Sequence, residues 1–462
     1  MVQISKKDKE KVLESINSGK IDTAGLAMPA LADSIVLAMK HHGFLEPLNE
    51  AFKDKRSDNL HIPSDILLTL AITAKLKQKT SLTDIPFAVT DTGLLAELGW
   101  NAWDYGRNIN EGLFSESVMR KLVKKYNSGE LVSFYNHYVQ DYVLENLGVQ
   151  PCIHILDCTK IPVNLNNTNY ENSSVVTIDG ETMRGYKLGV LRGVMDDSGV
   201  AEEIVFGTLK THDMELCREM LKNTSCFHEN DILINDRGFL SHEMTNYLKT
   251  ERKVDTYIPA RENMDIFKDA VSLAVSSGKW QKHPNKKKKY QEIQLVKSLG
   301  PLWASDTPEK DVPVNACVVH DKKTGKFFVF MTTDTTKTAR QIVQIYGLRP
   351  EIEEDFRQMK DFWELSGFKS TKYNYITFHI VMIMALTGYL FFQIYKNLEE
   401  GQAYTGRSLP VAAKNYKETK PKEIVIYVGQ YFGIFPFLEF LKIYAECTLE
   451  VRQLLDPVLA KV

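Results

Sequence analysis

From residue 1 to about 145, apolar positions recur at helical intervals, Ile66, Leu67, Leu70 and Ile72 among them, and no two-residue alternation is convincing, so a helical region is expected. Pro63 suits the first turn of a helix, and Ser81 and Ser115 suit N-caps, the latter followed by Glu116. Residues 115–147 read as two helices broken at Asn127-Ser128-Gly129. At 152 the period changes. The runs CIHILDC, YKLGVLRGVM, VAEEIVFGTL, DILIND and DTYIPAR are short and β-rich, and Asp196-Asp197-Ser198-Gly199 joins the second to the third as a hairpin turn. Helical segments at 213–221 and 240–248 then alternate with the later strands. That order predicts an α/β domain whose first strands form an antiparallel meander before crossovers begin.

Between about 262 and 335 the alternation is interrupted. Seven lysines, Lys279, Lys282, Lys286 to Lys289 and Lys297, face only Glu292 there, and strands expected at 314–319 and 327–332 flank a second hairpin signal, Asp321-Lys322-Lys323-Thr324-Gly325. The segment reads as a β-rich insertion. Its lysine run is either a solvated loop or a phosphate-tracking surface, with Lys287 at a candidate nucleic-acid contact. From 338 the helical period returns. The chain is thus expected to comprise a helical N-terminal region (1–145), an α/β domain in two parts (146–261 and 336–400) around the insertion (262–335), and a helical C-terminal region (401–462). Tyr373 to Tyr395 carries no formal charge over 23 residues, long enough to span a bilayer, yet Asn374, Thr377, His379, Thr387 and Gln393 interrupt it. It is read as a helix buried against a sheet, so no membrane partner is expected.

Composition is that of an ordinary globular protein, 44% hydrophobic and 25% charged, and the net charge of −2 confines any nucleic-acid binding to local basic surface. The six cysteines never form C-x-x-C, which supports neither a zinc ribbon nor a disulfide framework. With a charged N-terminus lacking an apolar signal core, a cytoplasmic location is expected, and the N-x-[ST] matches at Asn166, Asn172 and Asn223 are read as chance. No Walker-type run is present, so no nucleotide cofactor is implied.

Three carboxylates stand out by position. Asp157 follows the apolar run IHIL, Asp236 follows DILIN, and Glu353 lies early in a helix that begins near Pro350. Each alone also suits a turn residue or helix cap. Three converging carboxylates without histidine or cysteine make a hard, oxygen-rich site of the kind that holds Mg²⁺ or Mn²⁺, and two such ions can stabilise both oxygens of an in-line phosphoryl displacement. Tyr346, Arg349, Glu353 and Lys360 are spaced 3, 4 and 7 apart, close to one stripe of a helix, although Tyr346 precedes Pro350. Arg and Lys beside the carboxylate can neutralise a phosphodiester, and Tyr can stack on a base. An amphipathic helix with ordinary salt bridges is the alternative reading.

Tyr346-x2-Arg349-x3-Glu353-x6-Lys360 resembles the Tyr-Arg-Glu-Lys signature of bacterial insertion-sequence transposases of the DDE type, whose catalytic core is ribonuclease-H-like. The resemblance extends to Asp157 in LDCT and Asp236 in INDRGF, and to the long gap before Glu353 that an insertion would produce. It spans about 150–400. The implied fold is an α/β ribonuclease-H-like mixed sheet with flanking helices and a β-rich insertion before the last catalytic helix. By resemblance, Asp157, Asp236 and Glu353 are catalytic and bind two divalent ions, Mg²⁺ or Mn²⁺, that serve nicking and then strand transfer with no covalent protein intermediate. Arg349 and Lys360 would hold phosphates, Tyr346 would sit beside the terminal nucleotides, and a tryptophan of the insertion, Trp280 or Trp303, would stack on a flipped base. The implied partners are double-stranded DNA, as terminal inverted repeats and target, and a second copy of the chain in a homodimer on DNA. The N-terminal region would read the repeats, and 401–462 would offer dimer contacts. Two other functions remain open at this point: a transposase-derived DNA-binding protein without catalysis, and a ribonuclease-H-like nuclease without end specificity.

Overall fold

Apolar runs from Ile153 onward fold as the strands of one ten-stranded mixed sheet in a computed structural model that describes residues 6–27, 39–40, 43–44, 46–47, 50, 62, 64–88, 114–178, 180–195, 198–299, 312–399 and 423–459. The sheet lies within the unit Tyr135–Asp361; Met1–Phe134 and Phe362–Val462 form a second unit.

In the first unit the strands are β1 (Ile153–Val163), β2 (Ser174–Ile178), β3 (Glu181–Met195), β4 (Ser198–Thr208), β5 (Ile232–Asn235), β6 (Asp255–Pro259), β7 (Gln281–Lys282), β8 (Gln291–Leu299), β9 (Val314–Asp321) and β10 (Lys326–Thr332). The helices are α1 (Asp213–Asn223), α2 (His242–Thr250), α3 (Asp265–Ser277), α4 (Ala339–Tyr346) and α5 (Pro350–Asp361). Sheet order is β2-β3-β1-β5-β6-β10-β9-β8-β7, with β4 also on β3. β1, β3 and β4 are antiparallel neighbours, whereas β1, β5 and β6 run parallel. The meander-then-crossover order is therefore present, with α1 before β5 and α2 before β6 supplying the long connections that parallel pairing needs. Beyond β6 the strands of the insertion continue the same sheet, since β10 pairs antiparallel with β6. The β9–β10 hairpin closes as its sequence suggests. Asp321 accepts the N–H groups of Lys323 and Thr324 at 2.9 and 3.1 Å, and Gly325 takes a positive φ of 69°.

Side chains on a strand alternate between faces, so the register decides what each face carries. Leu156 and Leu191 are cross-strand partners on the face that packs against Met214, Cys217 and Leu221 of α1, Met244 and Leu248 of α2, and Ala270 and Ala274 of α3. The opposite face presents Ile155 beside Arg192 and Asp157 beside Val190, and α5 packs there. Helix α5 starts on Pro350, whose missing N–H costs nothing at a first helical position. It buries Ile352, Phe356 and Met359 at i, i+4 and i+7.

In the second unit, helices at Ser64–Leu76 and Glu116–Lys124 follow the expected pattern, and Ser115 caps the latter by accepting from Ser117 N–H at 3.4 Å. The expectation that both chain ends are helical is corrected. Lys6–Lys7, Tyr431–Pro436, Glu423–Val428 and Thr23–Ala27 form a four-stranded sheet in that order, packed on the helices Lys9–Asn17, Phe437–Glu446 and Leu449–Leu459 through Val12, Ile16, Ile424, Ile426, Phe435, Phe440 and Leu455. The outer pairings join residues some 400 apart along the chain, which no local period reveals, while Glu423–Val428 and Tyr431–Pro436 form a local hairpin that a helical reading of 401–462 overlooks. The apolar stretch forms the helix Tyr373–Glu399. Its segment Tyr373–Phe392 has the length and composition of a membrane span, and 94% of its most apolar window is buried inside the protein, as in a core helix.

One polar network is buried where β1 and β5 begin. His154 donates through one ring nitrogen to Glu202 at 2.6 Å and lies 3.3 Å from Asp231 through the other, and all three side chains are less than a tenth exposed. Burial alone would lower the His154 pKa, but the charge of Glu202 and the hydrogen bonds to both carboxylates push it up to about 9. The folded chain therefore keeps a proton that the unfolded chain releases above about 6.5. This contribution to stability is complete below that pH and is lost as pH rises through about 9. Thermal unfolding followed from pH 6.5 to 9 should show a falling midpoint. His154→Leu, which leaves two buried carboxylates facing each other, should destabilise by about 3 kcal/mol or more at pH 6.5. A wild-type midpoint flat across that range would show the imidazole to be neutral.

Candidate active site

The parallel ladder between β1 and β5 ends at the pair Leu156–Asn235, and the next residue on each strand is an aspartate. β1 itself continues to Val163, pairing with β3, so Asp157 lies mid-strand and not at a strand end. Asp236 follows β5 directly and caps the short 3-10 turn Arg237–Phe239, its Oδ1 accepting from Arg237 N–H at 2.7 Å. Asp157 Oδ1 likewise accepts from Cys158 N–H at 2.8 Å. In both residues one carboxylate oxygen is engaged locally and Oδ2 is left for a longer-range partner.

That partner is Arg349. Its Nη2 lies 3.0 Å from Asp157 Oδ2 and 3.4 Å from Asp236 Oδ2, while Nη1 donates to Glu353 Oε1 at 2.5 Å. One guanidinium thus joins all three carboxylates that stand out in the sequence. Exposure is graded across the cluster: the side chains of Asp157, Asp236 and Glu353 are 14%, 37% and 55% accessible. Arg349 itself is largely buried, and its Nε has no hydrogen-bond partner. Burial pushes the Asp157 carboxyl up to about 6 against the opposing pull of Arg349 and of Cys158 N–H, with Asp236 and Asp213 adding to the rise. Asp213, first residue of α1, is itself paired with the buried Lys187 on β3.

The four-residue signature is split between elements. Tyr346 ends α4, Arg349 lies in the turn between α4 and α5, and Glu353 and Lys360 are on α5. The Arg349–Glu353 pair nevertheless keeps the i, i+4 relation that the spacing predicts. Tyr346 packs on Phe330 with ring centroids 4.5 Å apart. Burial, together with the charges of Asp236, Asp157 and Glu353, raises its pKa despite Arg349 and keeps the phenol protonated. Lys360, two turns beyond Glu353, has its pKa lowered by burial and by Lys160, with Asp361 opposing.

Trp280 and Lys287 flank β7, the last strand of the sheet order, beyond β10, β9 and β8 from β1 and β5. Lys287 is exposed in the 3-10 turn Lys286–Lys288 beside the exposed Tyr290. Trp280 is half-buried and packs against His320 and Phe327 with centroids 5.7 and 6.4 Å away. Trp303 lies outside the described residues. Arg192, which the motifs do not single out, pairs with Glu351 and Asp355 of α5. The signal for it is an arginine inside the otherwise apolar run LGVLRGVM, a place where a charge needs a partner.

Among the described residues no group of three or more His, Cys, Asp or Glu side chains is gathered tightly enough to hold a metal ion. The Arg349 guanidinium takes the position between the carboxylates where a cation would neutralise them. The donor set, carboxylate oxygens alone, is of the hard type that suits Mg²⁺ or Mn²⁺ rather than zinc.

Residues 151–387, just over half of the chain, match the transposase DDE domain family. The chain belongs to that family. No curated protein matches it. Membership makes this a transposase, a nuclease-type enzyme whose substrate is DNA. The carboxylate cluster lies wholly inside the matched segment.

Because the Arg349 charge opposes the effect of burial, Arg349→Ala should move the Asp157 titration above its present value of about 6. Carbon-13 NMR of protein labelled at aspartate carboxyls would follow this. An unmoved midpoint would mean that the guanidinium does not act on Asp157.

Proposed function

We propose that this transposase performs metal-dependent cut-and-paste DNA transposition with Asp157, Asp236 and Glu353 as its catalytic triad. The observation that carries the reading is a single guanidinium within 3.4 Å of all three carboxylates, which come from two adjacent strands and one helix. The strand order also supports it. Three antiparallel strands, the first of which leads into two parallel ones, with the carboxylates at the end of the parallel ladder, is what a ribonuclease-H-like core would require. On this reading the Tyr-Arg-Glu-Lys signature marks an insertion-sequence enzyme.

Asp157, Asp236 and Glu353 would hold Mg²⁺ or Mn²⁺, two ions when the site is full. When bound, such ions supply Lewis-acid activation and neutralise charge at phosphorus. The chain's own residues do the rest. Asp157 must be ionised to act as a ligand, and burial, which raises its pKa to about 6, works against that form in the metal-free protein. Arg349 would lend its charge to a phosphate held beside the carboxylates, and Lys360 adds a point charge two turns along the helix. Tyr346 keeps its proton and so offers a hydrogen bond or a ring face to a terminal nucleotide. The exposed lysines around Lys287 follow the backbone of DNA. Residues 1–145 would read the terminal inverted repeats, and a homodimer, with 401–462 as one contact, would hold the two ends together. Trp280 or Trp303 would stack on an extruded base if ends pass through hairpins.

A DNA fragment bearing the gene's own flanking sequence should be cut at defined ends by the wild type with Mg²⁺ or Mn²⁺. Asp157→Asn, Asp236→Asn and Glu353→Gln should each lose more than the roughly 10–100-fold that loss of a merely supporting group costs. Retained cutting in any of the three would remove that residue from the triad, and tight end binding without any cut would point to a catalytically silent protein.

Replacing Lys286, Lys287 and Lys288 together by alanine should weaken binding equally for repeat and unrelated DNA. The slope of log affinity against log salt should fall by about 0.9 for each phosphate that the lysines no longer neutralise. Gel shifts at several salt concentrations would test this, and an unchanged slope would assign the lysines to bare solvent.

A further inference from the structure

Arg192 lies in the interior of β3 with its side chain only 5% exposed. Its Nε donates to Asp355 Oδ2 at 2.6 Å and its Nη1 to Glu351 Oε2 at 2.9 Å. Glu351 and Asp355 are one turn apart on α5. Glu353 lies between them in sequence but, at about 100° per residue, on roughly the opposite side of the helix. Arg349 grips the helix at Glu353 and Arg192 grips it on the other flank.

The apolar stripe of Ile352, Phe356 and Met359 turns one side of α5 to the sheet, but hydrophobic contact has no direction and sets the rotation of a helix and its position along its axis only coarsely. A two-pronged guanidinium does both. Arg192 is the cross-strand partner of Ile155, two residues before Asp157 and on the same face, so it ties α5 to the strand that carries the first carboxylate.

The neighbouring strand is shaped around this guanidinium. A β-carbon placed on Gly199 of β4 would lie 2.2 Å from Arg192 Cζ and 2.4 and 2.5 Å from its two Nη atoms, so any side chain there would displace the group. The β3–β4 ladder also shifts register next to Arg192, between Leu191–Glu203 and Arg192–Ala201. This leaves Glu202 out of the pairing and free to turn toward His154. Bulges that re-aim a side chain recur beside active sites.

We propose that Arg192 is a positioning residue for the reaction: it sets the rotation and register of α5 on β1 and thereby where the Glu353 carboxylate meets Asp157 and Asp236. The proposal rests on the reading of those carboxylates as a divalent-cation site.

The test is Mn²⁺ binding to the full-length chain by titration calorimetry, with thermal unfolding alongside. Three lesions separate position from charge. Arg192→Met removes the guanidinium and keeps its apolar stem. Gly199→Ala pushes the guanidinium aside with every charge retained. Arg192→Met combined with Glu351→Gln and Asp355→Asn removes the whole ion cluster, so that no unpaired charge is left to unfold the protein. Arg192→Met and Gly199→Ala are expected to weaken Mn²⁺ binding about tenfold or more. The triple variant is expected to recover the wild-type unfolding temperature and not the wild-type Mn²⁺ affinity. Arg192→Lys, which keeps the charge without the fork, should fall between. Wild-type Mn²⁺ affinity in Gly199→Ala or in the triple variant would overturn the positioning role and leave the triad standing. A wild type that binds no Mn²⁺ would overturn both.

Discussion

Everything at the candidate site depends on one cation among three anions. Three carboxylates drawn together at the end of two strands repel one another, and burial makes the ionised form of Asp157 less favourable still. Arg349 offsets part of this, since one guanidinium against three carboxylates leaves the cluster net negative. The Asp157 pKa remains above its ordinary value even so, and the sign follows by linkage. An acid whose pKa is raised by folding favours the folded state at low pH and loses that contribution as pH rises through about 6. At neutral pH the fold therefore carries the ionised Asp157 at a cost in stability, the expected signature of a residue kept for chemistry.

The sheet explains why the carboxylates meet at all. Parallel strands bring their carboxyl ends to the same edge, and here two such strands stop pairing at the same level, so the residues that follow are neighbours by construction. The antiparallel strands on the other side of β1 carry Arg192 to the same face. Extension of the sheet beyond β6 by the strands of the insertion keeps β6 from being an exposed edge, so the parallel core is flanked on both sides by hydrogen-bonded strands.

Much of this is legible in the sequence because it is local. The β9–β10 hairpin turn with its Asp and Gly, capping serines and the i, i+4 spacing of Arg349 and Glu353 all act within a few residues, and all appear where the pattern puts them. What the pattern hides is non-local. The sheet formed from both chain ends pairs Thr23–Ala27 with Glu423–Val428, and strands that short carry too little alternation to stand out from a helical background. Asp157 reads as a strand end because polarity rises after it, yet β1 runs on to Val163, held by β3 rather than by its own apolar pattern. Arg192 shows in the sequence only as a charge without a visible partner, because the acids that satisfy it lie some 160 residues later.

Helix α5 shows how electrostatics and packing divide the work. Between Glu351 and Asp361 it carries five acidic residues against Arg357 and Lys360, and it lies on a face that already holds Asp157. Left to its charges it would be repelled from that face, and its three buried apolar residues hold it there with its angle only coarsely set. Arg349 and Arg192 answer five carboxylates between them, each fork engaging acids from more than one position. A lysine at either place would neutralise as much charge, yet it would constrain the helix less, because an ammonium is a point and a guanidinium is a plane with fixed donor directions. The geometry of Glu353 is thus a product of where two arginines stand on the turn before α5 and on a strand beneath it, and the hydrophobic core serves as the platform that holds both.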